Sequence, residues 1–346
     1  MKQPADAPTS VVIDGLEVLA AGAAPLVVDE VSGQLAAALR AAGSTPHVWR
    51  RFAEGGQAGE AWPTTDACSS AFVRLGKDRR ALAMALDAAA SVVAPGGTIF
   101  LFGANAEGVK SAAKALDVVA EGVVTVDTRR HSRVLSGTRR REIPGFRGSL
   151  AAWREVGEVE LNGQARPWVS YPGVFAGGGL DPGTALLLDH LPEVGSRRQA
   201  AAVLDLACGT GIIGAVARER YSGASVDLVD ADAVAVAAAR ENVAGATVIC
   251  GDGLAAAPRA RYDAILSNPP IHDGIDESLA FLQRLIREAP GHLPVGGVLQ
   301  VVIPSRIRAA AEWCAAAFAE TSVVAQDRRY QVIRGIKGPT SRRDAR

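Results

Sequence analysis

Val203-Leu-Asp-Leu-Ala-Cys-Gly-Thr-Gly-Ile-Ile-Gly214 is an apolar run that reaches Asp205 and then passes through glycines into more apolar residues. The pattern predicts a buried parallel strand, a tight turn and a helix beginning near Ile212. Such a helix start offers free N–H groups, and with no Cβ at Gly209 or Gly211 a ligand can lie against bare backbone. The same glycines satisfy a dinucleotide fingerprint, with Asp230 near the acidic position about 20 residues on, so NAD stays open at this point.

Asn268-Pro269-Pro270-Ile271 narrows the choice. It follows the apolar run Ala264-Ile-Leu-Ser267, which places it at the carboxyl edge of a strand, where doubly wound folds bind ligands. Two prolines fix the backbone and remove two donors. The side-chain oxygen of Asn268 and the carbonyl of Pro269 can then accept both hydrogens of a planar exocyclic amine. That aims the nitrogen lone pair at an electrophile held over the Gly209 turn, and the catalysis required is mainly positioning.

Working outward, strand and helix patterns alternate twice along the chain, which predicts a doubly wound, mostly parallel sheet in each half. Aligning the halves pairs Asp29 with Asp205, Arg50 with Asp230, Arg74-Leu-Gly-Lys77 with Ser267-Asn-Pro-Pro270, and Pro95-Gly-Gly97 with Val295-Gly-Gly297. The first copy has neither the paired glycines nor Asn-Pro-Pro. It reads as a degenerate duplicate over 1–150. A hairpin turning at Asn162-Gly163 serves as linker over 151–170, and the catalytic domain covers 171–346.

The 346 residues suit two domains, and equal numbers of basic and acidic residues, 37 each, give no net field to draw in nucleic acid. Any RNA contact must be a local patch. Thr128 to Arg147 is rich in arginine and reads either as a flexible, solvated connector or as such a patch. Residues 1–10 read as a frayed end and Ala53 to Thr65 as a glycine-rich loop. Cys68, Cys208, Cys250 and Cys314 are far apart, which argues against zinc or a disulfide framework and for a reduced compartment. Charges and glycine interrupt Val11 to Val28, so no membrane span is expected.

Tyr171-Pro-Gly-Val-Phe175, Gly179-Leu-Asp181-Pro-Gly183-Thr-Ala-Leu-Leu-Leu188, Val203 to Gly214 and Ser267-Asn-Pro-Pro-Ile-His-Asp-Gly274 together resemble the RsmC-type ribosomal RNA guanine-N2 methyltransferases. The resemblance runs through Gly96 to Gly108 in the first half and Gln326 to Arg334 near the end. It implies two tandem Rossmann-like methyltransferase domains, the N-terminal one degenerate. It also implies S-adenosylmethionine resting on Asp205, Ala207, Gly209 and Gly211. Asp230 would take the ribose hydroxyls, Asp252 would lie near the adenine amine, Gly179 and Asp181 would close the methionine end, and Asn268, Pro269 and Pro270 would hold the guanine.

Ala207 stands where many methyltransferases have glycine, and Ile271 stands where the family has an aromatic that stacks on the flipped base. His272 and Asp273 are read as shaping the loop, and Arg342 and Arg343 as part of a disordered tail. The expectation is a monomeric, cytoplasmic methyltransferase acting on a guanine N2 amine in 16S ribosomal RNA or the small ribosomal subunit. The alternatives are methylation of a protein glutamine, an adenine or a small-molecule amine, and an RNA-binding assembly factor without catalysis.

Overall fold

The computed structural model describes residues 6–30, 32–194, 201–271 and 275–339. It divides into two compact units, one containing residues up to Arg51 and Glu60–Arg154, the other Phe52–Gly59 and Glu155 onward. This differs from the expected boundaries in two places. Phe52–Gly59 belongs with the second unit, and so does the hairpin expected to be a linker.

The first unit contains β1 (Pro25–Val28), β2 (His47–Trp49), β3 (Cys68–Arg74), β4 (Val93–Ala104), β5 (Ala120–Arg129) and β6 (Ser132–Arg139), ordered β2-β1-β3-β4-β6-β5. The first four run parallel, and β6 and β5 close the edge antiparallel. Apolar side chains bury both faces of the sheet, with Leu26, Val28 and Leu101 on one side and Val27, Phe72 and Phe102 on the other.

The second unit has the hairpin β7 (Glu155–Leu161) and β8 (Gln164–Ser170). A sheet follows, made of β9 (Ala202–Leu206), β10 (Ser225–Asp230), β11 (Thr247–Cys250), β12 (Ala264–Ser267), β13 (Val298–Pro304), β14 (Glu320–Gln326) and β15 (Tyr330–Ile336). Its order is β11-β10-β9-β12-β13-β15-β14. Removing β11 leaves the order of the first unit. The antiparallel edge pairs β5–β6 and β14–β15 were not expected. Their residues alternate weakly between buried and exposed, so the period-2 signal is faint.

The hairpin turns at Asn162 and Gly163, both at positive φ, as a tight two-residue turn requires. It is not a linker, because Val159, Leu161 and Trp168 are buried against Ile212 and Val216 of the helix Ile212–Arg220. Residues 6–10, expected to be part of a frayed end, belong to a capped helix. Asp6 caps the helix Ala7–Asp14 by accepting from the Thr9 N–H at 2.9 Å, and it pairs with Arg74 at 2.7 Å. The arginine-rich segment is not a flexible connector either. Arg129 pairs with Asp127, Arg130 with Asp14 and Arg140 with Asp117, while Arg133 donates to Asn105 and Arg139 to the Ala90 carbonyl.

Strand register corrects the alignment of the halves. Val28 lies opposite Val73 in the first unit, and Leu206 lies opposite Ser267 in the second. Val27 therefore takes the place of Asp205, Asp29 that of Ala207, and Arg74 that of Asn268. The backbone agrees, because Asp29 and Ala207 are both left-handed, at φ 55° and 58°. Arg50 does fall opposite Asp230, since Val28 pairs with Trp49 and Leu206 with Val229.

Candidate active site

The carboxyl ends of β9, β10, β11 and β12 surround a cleft of about 470 Å3 in the second unit. Its floor is the turn from Ala207 to Gly211. Ala207 has φ 58°, a conformation that costs an L-residue roughly 1–2 kcal/mol, so the turn carries strain at the site where a ligand would lie. Gly209 has φ 54° and open space where a Cβ would stand. Gly211 has φ 93°, and a Cβ there would come within 2.6 Å of Val243, so the close seat of the next helix needs glycine.

Two carboxylates hold this turn. Asp230 accepts from the Gly209 N–H at 2.7 Å and from the Asp232 N–H at 2.8 Å. Asp205 is fully buried, and its Oδ2 accepts from the Gly214 N–H at 2.7 Å. Its Oδ1 has no hydrogen-bond partner among the described residues. Burial pushes the Asp205 carboxyl up to about 8, with the nearby Asp230 charge adding to the effect and the Gly214 N–H opposing it. Beside them, burial raises the Cys208 thiol well above its usual range, so it is an inert part of the wall.

Asn268 closes the other end. Its Nδ2 donates to Asp181 Oδ2 at 3.0 Å and to Thr184 Oγ1 at 2.9 Å, and Asn268, Pro269 and Pro270 all line the cleft. A carboxylate is acceptor-only, so the amide is fixed with its NH2 toward Asp181 and its oxygen free for another donor. Asp181 is the N-cap of the helix Pro182–Leu188, accepting from the Thr184 N–H at 3.0 Å, and the Tyr330 hydroxyl donates to its other oxygen at 3.4 Å.

Not every expected residue faces the cleft. Gly179, Ala207, Gly209, Asp230 and Asp252 line it; Asp205, Gly211 and Asp181 do not, Asp205 and Gly211 supporting the turn from behind and Asp181 touching the cleft-lining Thr184 and Asn268. Ile271 packs against the hydrophobic core of the second unit and does not line the cleft. The aromatic side chains that do line the cleft are Phe52, Phe175 and Phe281. Asp252 is held in a two-point ion pair by Arg284 at 2.5 and 3.1 Å, which also raises the arginine. His272, Asp273, Arg342 and Arg343 lie outside the described residues.

The sequence reading missed Thr184, Arg284, Phe52 and Phe281. Only Thr184 had a local signal, as the third residue after an Asp-Pro helix start. It also missed Asn242, which buttresses the turn by donating to the carbonyls of Thr210 at 3.1 Å and Val169 at 2.9 Å. The Trp168 indole adds a 2.9 Å bond to the Thr210 hydroxyl, so hairpin and turn are tied together.

The family described as Methyltransferase small domain matches residues 167–334, and the Methyltransferase small domain N-terminal family matches residues 20–153. Ribosomal RNA small subunit methyltransferase C of Alcanivorax borkumensis is 33% identical over 276 residues, covering 79% of this chain and 82% of that protein. The protein of the same name from Pseudomonas paraeruginosa is 35% identical over 246 residues, covering 70% and 71%. Among solved structures, a T. thermophilus 16S rRNA N2 methyltransferase (RsmC) in complex with AdoMet and guanosine shares the fold, with a TM-score of 0.78 at 20% identity, over 96% of this chain and 92% of that one. With its duplicated sheets, its strained glycine turn and its Asn-Pro-Pro edge, the chain belongs to the ribosomal RNA small subunit methyltransferase C family and is an S-adenosylmethionine-dependent methyltransferase.

Proposed function

We propose that this protein methylates the exocyclic N2 amine of a guanine in 16S ribosomal RNA, and that the cleft of the second unit is where it does so. The open face of Gly209 and the size of the cleft fit S-adenosylmethionine. Ala207 and Gly209 would hold its methionine end together with Gly179, with Asp205 and Gly211 shaping the turn from behind. Asp230 lines the cleft where a ribose diol would lie, and Asp252 with its Arg284 partner stands at the purine end. When bound, the cofactor supplies an electrophilic methyl group on a positive sulfur.

The observation that carries the reading is the locked Asn268 amide. With its NH2 committed to Asp181 and Thr184, only Oδ1 can meet the acceptor, and Pro269 adds a carbonyl with no competing N–H. Two acceptors side by side select an amine and leave its lone pair directed into the cleft. Asn268 and Pro269 thus act by orientation, which can account for several kcal/mol of barrier lowering. Asp181 and Thr184 are positioning residues for Asn268.

An RNA acceptor also suits a second, open cleft of about 680 Å3 in the same unit, lined by Arg306, Arg308 and Arg328. It lies past the carboxyl end of β13, on the sheet edge that carries Asn268. Asp327 is the acid there, and the N–H groups of Arg329 and Tyr330 hold its carboxyl below the usual range. Arg308 and Arg328 there bring positive charge of the kind that contacts phosphates. We read the first unit as a non-catalytic domain and the protein as a cytoplasmic monomer, since the duplication already supplies two lobes. No helix among the described residues is long and apolar enough to cross a membrane.

The test is transfer of labelled methyl from S-adenosylmethionine to free 16S RNA and to small subunits, followed by digestion to nucleosides, with Asn268→Ala as the blank. Label in N2-methylguanosine supports the reading. Label in adenine, in a protein glutamine, or unchanged in the Asn268→Ala blank contradicts it.

A further inference from the structure

We infer that Phe52 forms a wall of the purine end of the cofactor cleft, so that the first half of the sequence supplies part of the second unit's cofactor site. This rests on the reading of the cleft given above. Phe52–Gly59 lies in the second unit although the sequence on both sides of it lies in the first. Contacts to the ends of β10 and β11 hold it there, two of them between main chains. Phe52 forms an antiparallel bridge with Asp232, the Ala53 N–H donates to the Ala231 carbonyl at 2.7 Å, and the Cys250 thiol donates to the Gly59 carbonyl at 3.8 Å. All of these anchors lie at or just beyond the carboxyl ends of β10 and β11.

Strand order says which part of the cofactor lies there. Asn268 follows β12, and the glycine turn follows β9; β10 and β11 come next across the sheet. A cofactor whose methyl group meets an amine at Asn268 must lay its nucleoside over β10 and β11, beside Asp230, Asp232 and Gly251 to Gly253. Phe52 lines this end of the cleft and leaves 53% of its surface exposed. A half-open aromatic ring held by backbone bonds over an apolar cleft suits a flat purine, which stacks on aromatic faces whatever its hydrogen-bonding pattern.

Stacking of this kind is worth enough that replacing the ring by a methyl group weakens binding about 5- to 150-fold. Calorimetric titration of the full-length protein with S-adenosylmethionine and with adenosine tests the inference. For Phe52→Ala we expect both dissociation constants to rise by the same factor within that range, with the melting temperature little changed. Phe52→Trp should keep the affinity and show a change in indole emission on adding either ligand. Unchanged binding by Phe52→Ala, or Phe52→Trp emission that does not respond to a bound ligand, overturns the inference and leaves the reading of the cleft standing. Wild-type protein that binds no S-adenosylmethionine overturns both.

Discussion

The two units share the order of six strands and one left-handed residue after the first central strand, yet at the same sheet edge one carries a cleft and the other a plug. In the second unit the edge opens about 470 Å3. In the first, a space of only about 40 Å3 remains among Asp29, Trp49, Arg51 and Arg74. The register shows how the difference arises. Val27 stands for the buried Asp205, Arg50 for the carboxylate that ties the glycine turn, and Arg74 for Asn268. Arg74 commits its guanidinium to Asp6 and Glu107, at 2.7 and 2.8 Å. A doubly wound frame survives these changes because its apolar faces hold it, while its ligand edge depends on a few polar residues that can be exchanged for packing.

The comparison is sharpened most by Asp181→Asn. Asparagine caps a helix about as well as aspartate, so the helix Pro182–Leu188 should persist. The new amide, however, lets Asn268 turn its own NH2 into the cleft. The turnover number should fall about 100-fold, with the dissociation constant for S-adenosylmethionine changed less than about twofold. A parallel loss of cofactor affinity would return Asp181 to the methionine end.

A smaller effect is expected at the arginine cleft. Replacing Arg306, Arg308 and Arg328 with glutamate should raise the KM for RNA about tenfold or more. The salt slope of RNA binding should flatten by about 0.7 for each phosphate that is no longer neutralised. Cofactor binding should be unaffected, and an unchanged salt slope would remove this surface from the RNA path.

The smallest effect separates Asp205 from its counterpart Val27. The folded-state pKa of Asp205 is raised from 3.8 to about 8. The folded protein therefore binds more protons than the unfolded chain between those values, and the ligand-free protein loses stability as pH rises through that window. Asp205→Asn should melt several degrees above wild type at pH 8, and the gap should close toward pH 4. A gap independent of pH would show that Asp205 does not titrate in this way.

Much of this was legible in the sequence. The turn after β9, the Asn-Pro-Pro edge and the repeat all rest on local chemistry, where glycine, proline and a buried apolar run leave few alternatives. The alignment of Asp29 with Asp205 failed because identical residue types were matched, whereas strand pairing fixes position to the residue. Asp181 was legible as a helix cap, but that its carboxylate turns Asn268 depends on a partner 87 residues away. The arginine-rich segment misled for the same reason, since its partners Asp14, Asn105 and Asp117 are distant in sequence. Phe52 had no local signal, because the chain that carries it looks like an ordinary loop.

Calorimetric titration of S-adenosylmethionine into wild type, Asp230→Ala and Arg50→Ala tests the contrast between the halves directly. The prediction is one molecule bound per chain, affinity at least tenfold weaker in Asp230→Ala because the Gly209 turn loses its anchor, and no change in Arg50→Ala. Two molecules per chain, or a loss on changing Arg50 with none on changing Asp230, would contradict the account.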